Sequence, residues 1–482
     1  MRLFLIFFMG LFFCVALFGQ KQHSPTFTLN PTQMREDLDS LRSALYSTPT
    51  DPFAFIRKEE IELYLATLED SIQKPRSVLW FYRMLNPLLV SLKDIHTRIW
   101  LSWAANPYAR SGGFYLPLKI RYFQQRVYVA DDPHNRIKRG SELIAINGVA
   151  AVWIIRKLLE EHYTDGNIVP TRIGLMEENF ANSLPLFFPV DSINALQLRA
   201  PASTRDTLIL YPGITKTKKP GKVRKKFQET FALKLLPSDR TAILTIGSFA
   251  KSNELKYRAF LRQSFHTIRK QEVQNLVIDI RGNKGGYIIR GPELLAYLSE
   301  KPFYYAHTSI VRASPLLKKR IKYDMIAPGI TIPVFKKFVG RELVSGWKNP
   351  VGTYDTLMWE PTPPKPEKLR FLGNTYLLTN GLSISNSCLL HHAFTLNQMG
   401  KVIGTSCGCI ETGTFGNSVE FILPNSRITG RVSTIRLTSR KDDFRITEEG
   451  LAPDMVVEDT IQDFLDGKDT QLEFVLKLIR NQ

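Results

Sequence analysis

Between about residue 30 and residue 101, apolar positions recur at helical spacing. Met34, Leu38, Leu41 and Leu45 form one stripe, and Ile61, Leu65 and Leu68 form another. Pro75 and Pro87 break the pattern. A helical N-terminal region, residues 26–107, is predicted. From Gly113 the texture changes. Residues 115–120 and 126–130 read as strands, and residues 139–148 read as a glycine turn, a short apolar strand and an Asn147-Gly148 turn. Trp153, Leu158 and Leu159 then open another helix, so residues 108–215 are expected to form a β-rich unit. Beyond it, residues 227–482 alternate. Strands are predicted over 242–246, 276–280, 375–379 and 401–404, and helices over 252–269, 292–298 and 386–397. Such alternation implies a sheet covered by helices through crossover connections. The fold class is therefore mixed α/β.

The length of 482 residues suits two or three domains and a sizeable core. The net charge of +19 favours solubility and weak attraction to anionic surfaces, and says nothing of fold. Part of it is local, because Lys216, Lys218, Lys219, Lys222, Arg224, Lys225 and Lys226 crowd around Pro220 and Gly221. Like charges repel and no aromatic residue interleaves with them, so residues 216–226 read as a solvated linker and no nucleic-acid partner is expected. The chain opens with Met1-Arg2, an apolar run over residues 3–18, and Gly19-Gln20-Lys21. That pattern reads as a secretory signal, residues 1–19. The run is shorter than the roughly 20 residues of a spanning helix. Phe12 and Phe13 before Cys14 argue against lipidation. The expectation is an exported protein, periplasmic or extracellular, with no stable membrane insertion after cleavage. Cys388, Cys407 and Cys409 then remain, too few for a disulfide framework.

Two segments carry candidate chemistry. Asp279-Ile280-Arg281-Gly282-Asn283-Lys284-Gly285-Gly286 takes a buried strand into a glycine-rich turn. Sheet enzymes place ligands at such strand ends, and glycines let backbone N–H groups approach them. The segment fits neither the dinucleotide nor the P-loop pattern. Thr379-Asn380-Gly381-Leu382-Ser383-Ile384-Ser385-Asn386-Ser387 takes a second strand through a turn into a helix. Serine there suits an N-cap, and equally a nucleophile beside exposed helix N–H groups.

Together the two segments resemble the core of the C-terminal processing (tail-specific) peptidases, a family that includes the tricorn protease. Its "D-x-R-x-N-x-G-G" is matched by Asp279, Arg281, Asn283, Gly285 and Gly286. Its "L-T-N-x-x-T-F-S-A-A-E" is matched by Leu378, Thr379, Asn380 and Ser385, with Cys388 and Asn386 departing from the pattern. Residues 421–424 and 450–454 resemble its later "F-x-L-P" and "G-V-x-P-D". Residues 139–148 also resemble the end of a PDZ domain. The resemblance implies a serine peptidase acting on polypeptide, with Ser385 as nucleophile and no metal or cofactor. No lysine stands in residues 407–413, where the Ser-Lys branch carries its base. Leu92-Lys93-Asp94-Ile95-His96-Thr97 resembles the "L-x-D-x-H-T" of the Ser-His-Glu branch, which makes His96 the base. An ordinary imidazole there implies an activity loss below about pH 6–7. His391 and His392 lie roughly 9–10 Å along the helix from Ser385, out of reach. The third member falls on Glu448, with Glu449 in reserve, since Thr447 aligns without a gap. Gly285 or Gly286, with Asn386, would supply the oxyanion hole. The alternative is a non-catalytic binding protein that keeps the fold. For the cysteines, a bridge from Cys388 to Cys407 or Cys409 stands beside three buried reduced thiols.

Overall fold

The computed structural model describes residues 28–101, 113–215, 230–250, 254–322 and 341–482. The expected signal, residues 1–19, and the basic linker, residues 216–226, lie outside the described residues.

The central element is a six-stranded sheet of Phe231–Leu236 (β1), Thr241–Ile246 (β2), Asn275–Asp279 (β3), Asn374–Thr379 (β4), Lys401–Gly404 (β5) and Met455–Val456 (β6), in that spatial order. β1 and β2 pair antiparallel, and every later pair is parallel. Parallel strands are covered on both faces, so they read as continuous apolar runs. In β3, Leu276 and Ile278 face the main core while Val277 faces a second cluster. That second cluster holds Tyr376, Leu378 and Ile403 against Val475 and Ile479 of the C-terminal helix, Thr470–Arg480. The four strands expected from sequence in this sheet therefore appear to within a residue, whereas the strand expected over 115–120 is split into Phe114–Tyr115 and Lys119–Phe123. β3 and β4 are parallel neighbours, with Asp279 opposite Leu378. The glycine-rich turn and the Ser385 turn thus leave the sheet side by side.

Three helices precede the sheet, Pro31–Ser47, Lys58–Ser71 and Val78–Ser91. Both predicted stripes are buried. Asn30 starts the first with a capping box to Gln33. Pro87 lies inside the third helix rather than ending it, as its neighbours Leu85, Leu88 and Leu89 are fully buried and hold it in place. After these helices, Arg98–Trp100 joins Val419–Ile422 and Thr429–Val432 in a three-stranded sheet. That pairing sets Arg98 opposite Arg431 and anchors the residues just after His96 to the C-terminal region.

The β-rich unit has its own sheet, in the order Asp206–Pro212, Ile193–Arg199, Glu142–Ile146, Arg126–Asp131 and Lys119–Phe123. Helices Ala151–Glu160 and Val169–Phe187 cover a separate apolar core containing Val129, Ile146, Ile154 and Phe180. Asn147 and Gly148 take the positive φ that a tight turn requires. No helix among the described residues is long and apolar enough to cross a membrane.

One buried carboxylate ties the first helix to the far end of the chain. Asp37, with no exposed surface, accepts from the backbone N–H of Asn425 and of Ser426, each at 2.8 Å. Asp37→Ala removes both bonds and strands two donors. The expected loss is about 2–4 kcal/mol of unfolding free energy, read as a lower denaturant midpoint at unchanged slope.

Candidate active site

The two turns beyond β3 and β4 are laced together by side chains. Asn283 is fully buried. Its Nδ2 donates to Ile246 O at 2.9 Å, its Oδ1 accepts from Gly285 N at 3.0 Å, and its backbone oxygen accepts from Ile384 N at 3.1 Å. Asn380 returns the favour, its Oδ1 accepting from Gly282 N at 3.0 Å and from Leu382 N at 3.1 Å. Below them Arg281 pairs with Asp279 at 2.7 Å and with Asp469 at 2.6 Å. Asp279 and Arg281 thus hold the base of the turn.

The three serines of the second turn differ in position. Ser383 is buried, and its hydroxyl donates to Ile280 O at 3.0 Å while accepting from Asn380 N at 3.1 Å. Ser387 is fully buried within the helix Asn386–Leu396. Ser385 is partly exposed, at the strand–helix junction, with φ 59° and ψ −120°. A non-glycine residue at such a φ is strained and persists only where its surroundings over-determine it.

Gly285 and Gly286 have φ +82° and +139°. A Cβ on Gly285 would sit 2.8 Å from both Asn386 N and Ser385 Cβ. The Gly285 N–H is spent on Asn283, so it is withdrawn from the oxyanion role considered from sequence. The N–H groups of Gly286 and Asn386 make no hydrogen bond among the described residues. The Asn386 side chain is fixed by donating to Tyr287 O at 2.9 Å and accepting from Tyr305 OH at 2.6 Å.

His96 reaches this region through packing. Ile95 and Ile384, immediately before His96 and Ser385, share a small buried cluster with Leu175, against which Leu382 and Tyr163 pack. The His96 side chain is 12% exposed, and its buried Nδ1 has no hydrogen-bond partner among the described residues. The nearest carboxylate oxygen to Nδ1 is Asp94 Oδ1, at 3.8 Å. Asp94 also accepts from His96 N at 2.8 Å, and from the Thr97 and Ser433 hydroxyls at 2.6 Å each. Asp165 accepts from Ile95 N at 2.8 Å. Ligating atoms of Asp94, His96 and Asp165 lie within 4.8 Å of one another, as do the three sulfurs of Cys388, Cys407 and Cys409. Burial, reinforced by Arg431 and Arg98, lowers the imidazole to about 3. Burial likewise raises the Asp94 carboxyl, and raises that of Asp165 further, with Asp94 adding repulsion.

Glu448 is turned elsewhere. Its carboxylate is paired with Lys93 at 2.5 Å and accepts from the Asn167 amide, and its side chain is 43% exposed. Two donors on a partly solvated carboxylate outweigh a turn toward a neutral imidazole. Glu449 contributes a backbone bond, accepting from Glu411 N at 3.1 Å. The carboxylates beside His96 are Asp94 and Asp165. Asp94 was within reach of sequence reasoning, two residues before His96, whereas nothing local marks Asp165. His391 and His392 are fully buried, and His392 Nε2 lies 3.2 Å from Ile410 O.

The family model of peptidase family S41 matches residues 240–457. The matched segment, a little under half of the chain, is similar to that family. The matched segment is of the serine-peptidase type, and it contains both turns. Two solved structures share the fold over most of the chain. Mature CPAF aligns at 15% identity over 94% of this chain and 99% of its own, with a TM-score of 0.63. A CPAF point mutant aligns at 14% identity over 94% and 97%, with a TM-score of 0.67. The photosystem II D1 C-terminal processing protease aligns at 16% identity over 93% and 97%, with a TM-score of 0.42. No curated protein matches the sequence.

The crowding at Gly285 gives a direct test. Gly285→Ala sets a methyl group against Ser385 and Asn386 at a φ that alanine resists. The expected outcome is a folded protein, by circular dichroism, whose labelling by a fluorophosphonate falls at least about 10²-fold.

Proposed function

We propose that the chain is an exported serine endopeptidase acting on extended polypeptide, with Ser385 as nucleophile and His96 as base. The observation that carries this reading is Ser385 itself: a partly exposed serine, strained at a helix N-terminus, flanked by the unengaged N–H groups of Gly286 and Asn386. Ser385 Oγ attacks the scissile carbonyl as His96 accepts its proton. The carbonyl oxygen moves between the two N–H groups, which stabilise its developing charge. His96 then returns the proton to the leaving amine, and water repeats the cycle on the acyl-enzyme. Asp94 is the carboxylate suited to orient His96, because a shift of about 1 Å converts its 3.8 Å approach into a hydrogen bond to Nδ1. Glu448, the residue expected from sequence, serves as a brace between the loops carrying Lys93 and Asn167. The PDZ-like unit would take a substrate C-terminus by strand addition.

A second reading rests on one fact. Ser385 and His96 share no hydrogen bond among the described residues. A binding protein that retains the peptidase fold would have no need of one. Covalent labelling separates the two. Fluorophosphonate should modify the wild type at Ser385, and Ser385→Ala should abolish both labelling and hydrolysis of an unfolded protein substrate. Labelling that survives Ser385→Ala but not Ser387→Ala would place the nucleophile elsewhere.

The carboxylate assignment is tested by substitution. Asp94→Asn should lower kcat by about 10²-fold or more, whereas Glu448→Gln should remain within a few-fold of the wild type. The reverse order would restore Glu448 as the third member.

Acidification tests the base. The neutral imidazole is the active form, and burial holds it near 3, below its ordinary value. The fall below about pH 6–7 expected for an ordinary histidine is therefore displaced downward. Acylation of Ser385 should stay level from about pH 8 to about pH 5, measured by the rate of fluorophosphonate labelling. A midpoint near 6.5 would show that His96 is solvated in the working enzyme.

A further inference from the structure

Cys388, Cys407 and Cys409 have no exposed surface and form a cluster of their own, with Leu451 packed against it. The Cα of Cys388 lies 5.9 Å from that of Cys407 and 6.1 Å from that of Cys409. Both separations fall within the roughly 4.4–6.8 Å that a disulfide spans. Cys388 therefore has two partners placed equally well, and its sulfur can bond to only one of them at a time.

We propose that the three residues are a disulfide-exchange centre, in which one bridge alternates between Cys388–Cys407 and Cys388–Cys409. The free thiol, as its thiolate, attacks Sγ of Cys388. A new S–S bond forms as the old one breaks, and the departing sulfur takes up the proton that the attacking thiol released. The exchange transfers no electrons overall. Its first bridge forms by exchange with a small disulfide, which leaves as two thiols.

The centre sits directly behind the Ser385 turn. The N–H of Cys388 donates to Ser385 O at 2.9 Å, and the N–H of Gly408 donates to Ser383 O at 2.9 Å. A Cβ on Gly408 would lie 2.7 Å from Ile384 Cγ1. The helix and the Cys407–Cys409 turn thus grip the serine turn from two sides, and either bridge joins the two sides covalently. Having two partners makes the brace redundant, because loss of either Cys407 or Cys409 leaves the other to close it. The effect on Ser385 rests on the serine-peptidase reading, whereas the exchange does not.

The test uses the full chain purified without reductant, unfolded in denaturant together with N-ethylmaleimide at mildly acidic pH so that the buried free thiol is blocked before exchange, then digested with trypsin and mapped by mass spectrometry. Cys407 and Cys409 share the tryptic peptide of residues 402–427, so fragmentation shows which of them carries the label. The wild type should show label at both positions, in separate molecules, with Cys388 unlabelled. Cys407→Ser and Cys409→Ser should each keep Cys388 protected, while in the double variant it becomes labelled. Label confined to one position in the wild type, or a labelled Cys388 in either single variant, overturns the exchange. So does label on all three thiols, including after chelation of a bound metal ion. Fluorophosphonate labelling of Ser385 should be unchanged in each single variant and slow several-fold in the double variant. An unchanged rate in the double variant would overturn the bracing role, and absence of labelling in every form would instead overturn the serine-peptidase reading.

Discussion

The hydrogen bonds made by two asparagine side chains are the constraint on which the site depends. Each of the two turns beyond β3 and β4 leaves backbone groups that the sheet no longer satisfies. The Asn380 side chain bonds to backbone groups of both turns, while the Asn283 side chain bonds to Gly285 N in its own turn and to Ile246 O, and its backbone oxygen accepts from Ile384 N in the other. Buried polar groups without partners are costly, so such a closed set selects one arrangement over its neighbours. The left-handed φ of Ser385, the close approach of Gly285 and the orientation of the Gly286 and Asn386 N–H groups all follow from it. Arg281 makes a second layer, fixing the start of the first turn to the C-terminal helix through Asp469.

Electrostatics around His96 are governed by burial more than by pairing. Desolvation is the largest influence on His96, Asp94 and Asp165 alike, and it favours the neutral form of each. Arg98 and Arg431, opposite each other in the three-stranded sheet, add positive potential that keeps the imidazole uncharged. Hydroxyl donors from Thr97 and Ser433 offset part of the cost of keeping Asp94 inside. The resting arrangement is thus of a neutral imidazole with the Asp94 carboxyl group close to, but not bonded to, its Nδ1.

What could be read from sequence follows from how local each signal is. The parallel strands announced themselves as unbroken apolar runs, and the helical stripes of the N-terminal region as period-3.6 repeats. The two turns were legible because glycine, asparagine and serine are confined to a few backbone roles. Pro87 misled because tertiary packing of Leu85, Leu88 and Leu89 overrides local helix preference. The surroundings of Glu448 were not legible, because its partners, Lys93 and Asn167, come from segments 355 and 281 residues away. The loss of the Gly285 N–H to Asn283 is a matter of a single hydrogen bond, which no pattern of residue types encodes. Asp165 stands beside Asp94 only through the fold.

The bond from Ser433 to Asp94 closes a loop of 339 residues, and the strand after His96 finds its partner in Thr429–Val432. Closing so long a span comes late, because its entropy is lost before any contact repays it. A ribosome that has delivered the histidine and even the serine has still not delivered the strand that seats the histidine loop. The seat of the histidine loop is complete only once almost all of the polypeptide has been made.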